Sequence, residues 1–332
     1  MPDLPASTLA RATQLFCAAA LTLLVATSFG LFKPFWAAMP VWVVAQPYRA
    51  DLLIRALLRV AGTIVGALCG MALLALPLPP YAEIAALALL IGLGTMTAFW
   101  IGTIYSYGVL MIAITLGVVV LPGLASPLDA GAYALDRFFC TLIGVIAVTA
   151  LTFPFTPRRA ERHPLRLDHG TDRAMLRGLG ALCAAALAAT GVVLIGSLAM
   201  PAALSLVVFS SIIGSTPDPR PILRNLLPGA AIGVIAALLY RALALSLDLD
   251  GMALVVLALP FFAAGALLRS NPRSAPLGLD ANMCFLLAAE AGAQGHSLTH
   301  YLLGGAMLLT SAGVIVGAHL IAGRFFASPQ RT

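Results

Sequence analysis

The sequence predicts an all-α integral membrane protein of about twelve transmembrane helices, laid out as two parallel repeats of six. Three observations predict it. Apolar runs of membrane-crossing length recur along nearly the whole chain, the basic residues fall almost entirely on one side of the helices so counted, and a polar elbow followed by a glycine-spaced helix occurs once in each half.

The apolar runs come first because they decide the solvent. Hydrophobic residues make up 61% of the 332 positions, charged residues only 10%, and mean hydropathy is +1.00. A soluble domain carries about 25% charged residues and cannot hide this much apolar surface. A bilayer core of roughly 30 Å asks for about 20 apolar residues per crossing, and backbone groups in lipid must be satisfied within the segment, so each run reads as a helix. In the first half the helices are expected at about 12–32, 35–46, 52–75, 82–98, 101–121 and 133–154. In the second half they are expected at about 175–197, 199–213, 222–246, 251–268, 277–292 and 301–323. The second helix of each half is short. The first run is longer than the apolar region of a signal peptide and no small-residue cleavage site follows it, so it is expected to remain as the first helix.

The charge pattern sets the topology. The formal net charge is +6, which in a soluble protein would suggest nucleic acid as a partner. Here the stretch from Thr156 to Arg177 holds Arg158, Arg159, Arg162, Arg166, Arg173 and Arg177, and basic loops near helix ends stay cytoplasmic. Counting outward from it puts both termini inside, along with the elbows carrying Arg49, Arg55 and Arg59, then Arg220 and Arg224, then Arg269 and Arg273. Only Lys33, Arg137 and Arg241 fall toward the other side. The chain thus divides into a first membrane repeat (1–155), a basic cytoplasmic linker (156–177) and a second membrane repeat (178–332), with no nucleic acid implied.

The repeat itself shows around the third and ninth helices. Gln46-Pro47-Tyr48-Arg49-Ala50-Asp51 and Ser215-Thr216-Pro217-Asp218-Pro219-Arg220 are the two elbows. Each leads through a basic residue, Arg55 or Arg224, into small residues four apart: Gly62, Gly66 and Gly70 in one helix, Gly229, Gly233 and Ala237 in the other. Such faces let helix backbones approach closely in lipid, so these glycines are expected to pack helices together. An even number of helices per half starts both halves on the same side, which makes the repeat parallel, and transporters commonly bind substrate between such halves.

The stretch Lys33-Pro34-Phe35-Trp36-Ala37-Ala38 through Gln46-Pro47, followed by Arg55-x-x-x-Arg59-x-x-Gly62-Thr63-x-x-Gly66, resembles the signature of the fusaric acid resistance and aromatic acid exporter superfamily, with Phe35 where Tyr is usual. Asp136-Arg137 leading to Thr141-x-x-Gly144 is similar to that family's sixth-helix element. The second half diverges, since Asn225 and Pro228 disturb the Arg-x-x-Gly match. The resemblance covers both membrane halves, while the long cytoplasmic domains of many relatives are missing. It implies a bacterial inner-membrane protein that exports small organic acids, often with a periplasmic adaptor of the membrane-fusion type. Substrate identity does not follow from a fold.

Several residues carry two readings. Arg55 and Arg59, one turn apart on the third helix, either hold a carboxylate through their guanidinium forks or snorkel to headgroups; the resemblance favours Arg59. Arg224 is the candidate counterpart in the second half. Asp280, inside the eleventh run, is the candidate carrier of a coupling proton, because an acid placed there is costly unless it faces protein or water; the alternative is a helix cap at the interface. Glu83 and Asp136 read as acids in the first turns of their helices. Arg137 has no favourable place near a helix start, and either pairs with Glu83 or Asp136 or meets a departing anion. Trp36, Trp42, Phe99, Trp100, Tyr105 and Tyr107 fit an interfacial aromatic belt, with Trp36 the one most suited to lining a cavity against an aromatic acid. Glu290, His296 and His300 lack the HExxH pattern of a metal site and read as an outer loop. The five cysteines, Cys17, Cys69, Cys140, Cys183 and Cys284, lie in apolar runs and read as buried thiols.

No phosphate loop, dinucleotide motif or nucleophile–base arrangement stands out, so neither an enzyme nor a cofactor is expected. The leading reading is a secondary transporter that exports small, aromatic or other organic acids as a proton enters, with Arg55, Arg59, Arg224, Trp36 and Arg137 on the substrate and Asp280 on the proton. Two other readings stay open: a channel-like organic-anion conductor, suggested by the relation of plant malate channels to this superfamily, and a non-transporting membrane subunit of an adaptor complex. The expected partners are the lipid bilayer, a small organic anion, the periplasmic adaptor and a second copy of the chain.

Overall fold

The computed structural model describes residues 4–125, 130–158 and 170–325. Among these, α-helices follow one another without strands: α1 (Leu4–Ser28), α2 (Phe35–Val44), α3 (Arg49–Ala75), α4 (Pro80–Ile101), α5 (Ser106–Ala125), α6 (Ala130–Thr152), α7 (Thr171–Ile195), α8 (Met200–Ser215), α9 (Arg220–Ser246), α10 (Gly251–Ser270), α11 (Ala275–Ala289) and α12 (Leu298–Phe325). A 3₁₀ turn at Phe153–Phe155 follows α6, and a second, Gly196–Ala199, separates α7 from α8. Arg159, Arg162 and Arg166 of the basic linker lie outside the described residues. Arg173 and Arg177 are already on α7, whose first turn contains Asp172, an acid where the helix dipole favours one.

Nine runs among the described residues are long and apolar enough to cross a membrane, which makes this a multi-pass membrane protein. One of them, Thr171–Ser215, spans 45 residues but is not a single rod. Gly196 takes φ 77°, open to glycine at no steric cost, and the chain reverses there. At the far end of the hairpin, a β-carbon on Gly214 of α8 would lie 3.4 Å from the Arg177 carbonyl oxygen of α7.

Two helices fall well short of the length that a straight crossing needs. With 10 and 15 residues, α2 and α11 reach only about 15 and 22 Å at 1.5 Å per residue, short of the roughly 30 Å hydrocarbon core. Lipid does not have to accommodate their ends, because protein does. α2 packs against α1, α3, α6 and α11, and α11 packs against α9, α10, α12 and α2. Backbone ends at membrane depth are tolerated where protein surrounds them.

The packing follows a pattern in which the first six helices exchange with the last six. α3 pairs with α5 as α9 does with α11, α2 with α6 as α8 does with α12, and α4 with α7 as α10 does with α1. Glycine makes the tightest of these seams. A β-carbon on Gly62 would stand 2.6 Å from Met111 Cβ, and one on Gly66 2.6 Å from the Ile112 carbonyl oxygen. On the other side, one on Gly229 would stand 2.6 Å from Asp280 Cβ, and one on Gly233 would strike the Ala281 carbonyl. α4 and α7 meet in the same way through Gly92 and Gly178.

The reading of all five cysteines as buried is corrected. Cys140 and Cys284 are inside, whereas Cys17, Cys69 and Cys183 face outward, where lipid solvates a thiol as readily as a protein core does. In the middle of the molecule, Trp42 of α2, Phe262 of α10 and Phe285 of α11 meet edge to face, with Trp42–Phe262 and Phe262–Phe285 centroids both 6.1 Å apart.

Candidate functional site

The site is organised by the end of α2. Pro47 disfavours helix at the residue before it, so α2 stops at Val44 and leaves its last carbonyls without helical donors. Arginines from two other helices supply them. Arg55 of α3 donates from Nη1 to the Val43 carbonyl at 3.4 Å, and Arg269 of α10 from Nε to the Trp42 carbonyl at 3.2 Å. The negative end of a helix dipole favours such cations. Arg11 of α1 and Arg55 both lie close enough to Arg269 to interact with it electrostatically. A cavity of about 410 Å³ opens beside this group, lined among others by Arg11, Gln14, Gln46, Thr152, Thr156 and Ser270. We call this the basic face.

Arg59 lies one turn further along α3 and is only 6% exposed. Its Nη1 stands 2.7 Å from Met111 Sδ and 3.4 Å from Tyr107 Oη, while the Arg55 guanidinium lies 5.0 Å from the centroid of the same tyrosine ring. Asp280 sits in the second turn of α11, 7% exposed, and interacts electrostatically with Arg269. Being past the first turn, with Ser274 at the N-cap, it is not a cap.

On the far face, Arg137 of α6 stacks on the Trp36 ring with its guanidinium carbon 3.6 Å from the centroid. It pairs with neither Glu83 nor Asp136. α6 begins earlier than the sequence suggests, so Asp136 is not in its first turn; its Oδ1 instead accepts the Phe32 N–H at 2.7 Å and fixes the α1–α2 loop. Among the described residues the ion pairs gather here as well: Lys33 with Glu290 at 2.9 Å, and His296 with Glu290 at 3.8 Å when the histidine is charged. Lys33 also lines a cavity of about 480 Å³ with Thr27, Phe32, Gly292 and Gln294. His296 and His300 stack on each other at 4.3 Å, and no group of three potential metal ligands occurs among the described residues.

The structure therefore gathers Arg55, Arg59, Trp36 and Arg137 around α2, with Asp280 on the neighbouring α11. Arg224 stays apart. It is exposed on α9, and the residue three before Gly229, matching Arg59 three before Gly62, is Leu226; two residues of displacement turn a side chain by about 200° around a helix. Of the six aromatic residues read as a belt, Trp100 and Tyr105 are exposed, whereas Trp36, Trp42, Phe99 and Tyr107 are buried, where no belt residue belongs. Sequence reasoning assigns Arg241 and Arg269 to topology alone and does not single out Arg11. Their position inside or at the edge of apolar runs is the available signal.

The Fusaric acid resistance protein family matches the chain twice, over residues 8–168 and 158–322. An uncharacterized transporter of Gluconobacter oxydans is 30% identical over 162 residues, covering 45% of this chain and 21% of its own. The chain thus spans about a fifth of that curated relative. No solved structure matches.

Proposed function

The chain belongs to the fusaric acid resistance protein family, and from that premise we propose that it is a secondary transporter of the bacterial inner membrane that exports small aromatic or other organic acids, coupled to the proton gradient. One observation carries the reading: Arg11, Arg55 and Arg269 gather near the end of α2, with Arg59 one turn further along α3, no ion pair to any of the four among the described residues, and the Asp280 carboxylate close enough to Arg269 to interact with it. Unpaired guanidiniums at membrane depth are costly, and a carboxylate is the partner their fork geometry fits.

In this reading the basic face is cytoplasmic, as basic loops favour, and the cavity beside Arg11 gathers the anion from the cell. The twofold family match and the exchange pattern of helix pairs support two parallel six-helix repeats, with α2 and α11 as their short inner members. Rocking of one repeat against the other would open the far-face cavity in turn. The substrate carboxylate and the Asp280 carboxylate compete for Arg269, so anion occupancy and protonation of Asp280 are linked. Onward passage through a periplasmic adaptor and association with a second copy belong to the same proposal.

Purified protein in liposomes loaded with benzoate tests it. We expect flux that responds to an imposed pH gradient, and an Asp280→Asn variant that loses the response while retaining benzoate exchange. Benzoate flux indifferent to the gradient removes the coupling. Conductance unaltered by Asp280→Asn supports a channel instead, and no flux at all supports a non-transporting subunit.

A further inference from the structure

Arg59 and Arg137 come from different helices, α3 and α6, yet they lie close enough to repel each other electrostatically. Both are buried, at 6% and 2% exposure. Their polar atoms are not all used: Arg59 Nε, Arg137 Nε and Arg137 Nη1 are buried without an acceptor. The nearest acid to Arg137, Asp136, is engaged by the Phe32 N–H and by the Cys140 thiol. Trp36 covers one face of the Arg137 guanidinium, leaving its edge for hydrogen bonding, and the Tyr107 hydroxyl stands beside Arg59.

Two neighbouring like charges in a low-dielectric interior, each with idle N–H groups, are stabilised by an anion that both can share. We propose an occluded carboxylate site between Arg59 and Arg137, bounded by Trp36 and Tyr107 and contained wholly within the first six helices. The site deepens the transport reading above and rests on it for its place along a path. It differs in location from a site between the halves: the second half has Leu226 at the place of Arg59 and offers no equivalent pair. The ligand carries a carboxylate, since one such group can accept from both guanidiniums at once, and benzoate is the small monocarboxylate that probes it.

Calorimetric titration of detergent-solubilised protein with benzoate, and separately with chloride, tests the site without any gradient. Arg59→Gln and Arg137→Gln are each expected to weaken benzoate binding by roughly ten-fold or more, the scale of a lost charged hydrogen bond. Because both hold one ligand, the double variant should lose far less than the product of the two. Ligand-free Arg137→Gln should melt no lower than the parent protein, because it removes a buried charge that has no ion-pair partner among the described residues while the glutamine amide can still lie on the Trp36 ring. Benzoate affinity within two-fold of the parent in either folded variant overturns the site, as does binding of chloride but not benzoate. A markedly lower ligand-free melting point with benzoate binding retained assigns Arg137 a structural role and also overturns it. Should Arg137→Gln not fold, Arg59→Gln decides alone. Absence of liposome flux with benzoate binding intact counts against the transport reading and leaves the site standing.

Discussion

Arg241 is as deeply buried as Arg137, yet the two should respond oppositely to replacement. Arg241 donates from Nε to the Ala289 carbonyl at 2.5 Å and from Nη2 to the Glu290 and Ala293 carbonyls at 2.8 and 3.1 Å. It thereby closes the end of α11, where Glu290 takes the left-handed conformation at φ 46°. Arg241→Met leaves these carbonyls unsatisfied in protein interior, at about 1–3 kcal/mol each, and should lower the thermal midpoint by several degrees. Arg241→Lys should recover only part of the loss, because a single ammonium does not reproduce the fork. This contrast also marks what is legible in the chain alone. An ionisable residue inside an apolar run stands out in the sequence, as Arg59, Arg137 and Asp280 do. Its acceptor does not stand out when the acceptor is a backbone carbonyl, since any residue carries one; Arg55, Arg241 and Arg269 all bind carbonyls, and two of them read from sequence only as topology markers. Arg224 shows the complementary failure: similarity of order along the chain suggests equivalence, while helical phase turns the side chain outward.

At the level of helices, the glycine spacing makes a sharper prediction than the apolar runs do. A β-carbon on Gly233 would strike the Ala281 carbonyl and lie 2.8 Å from both Cys284 Cβ and the Phe285 nitrogen. Backbone atoms of α11 cannot swing aside as a side chain can, so Gly233→Leu must push α9 away from α11 and carry Asp280 with it. We expect the variant to lose its monodisperse peak in size-exclusion chromatography. A β-carbon on Gly191 of α7 would meet nothing within 4 Å, so Gly191→Ala should leave the peak intact and gain up to about 1 kcal/mol of helix propensity. The sequence could show that both glycines lie on helices and that only one belongs to a four-residue series. It could not show which helix the series meets, because α5 and α11 carry no complementary signature beyond being apolar. Nor could the apolar runs show that α2 and α11 are as short as 10 and 15 residues, since those runs continue into loops that protein, not lipid, covers.

For the molecule as a whole, the fold-back at Gly196 and the direction of the basic face are the two features on which sidedness depends. If α7 and α8 formed one continuous crossing, Ser197 would sit near its middle and be sealed from either aqueous side. The hairpin instead puts the exposed Ser197 at one face and the exposed Asp218, beyond α8, at the other. In a background with all five cysteines replaced, we expect a membrane-impermeant maleimide added to intact spheroplasts to label Ser197→Cys and spare Asp218→Cys, and to reach Asp218→Cys once the membrane is permeabilised. Labelling of neither residue before permeabilisation and both after it would place both turns inside the cell and remove the hairpin as a pair of crossings. Labelling of Asp218→Cys alone would keep the hairpin and invert it. The arginines around the end of α2 would then face the periplasm, and the same cavity that gathers an anion for export would gather it for uptake, because the chemistry of the site fixes what it holds while only the orientation of the chain fixes the direction of travel.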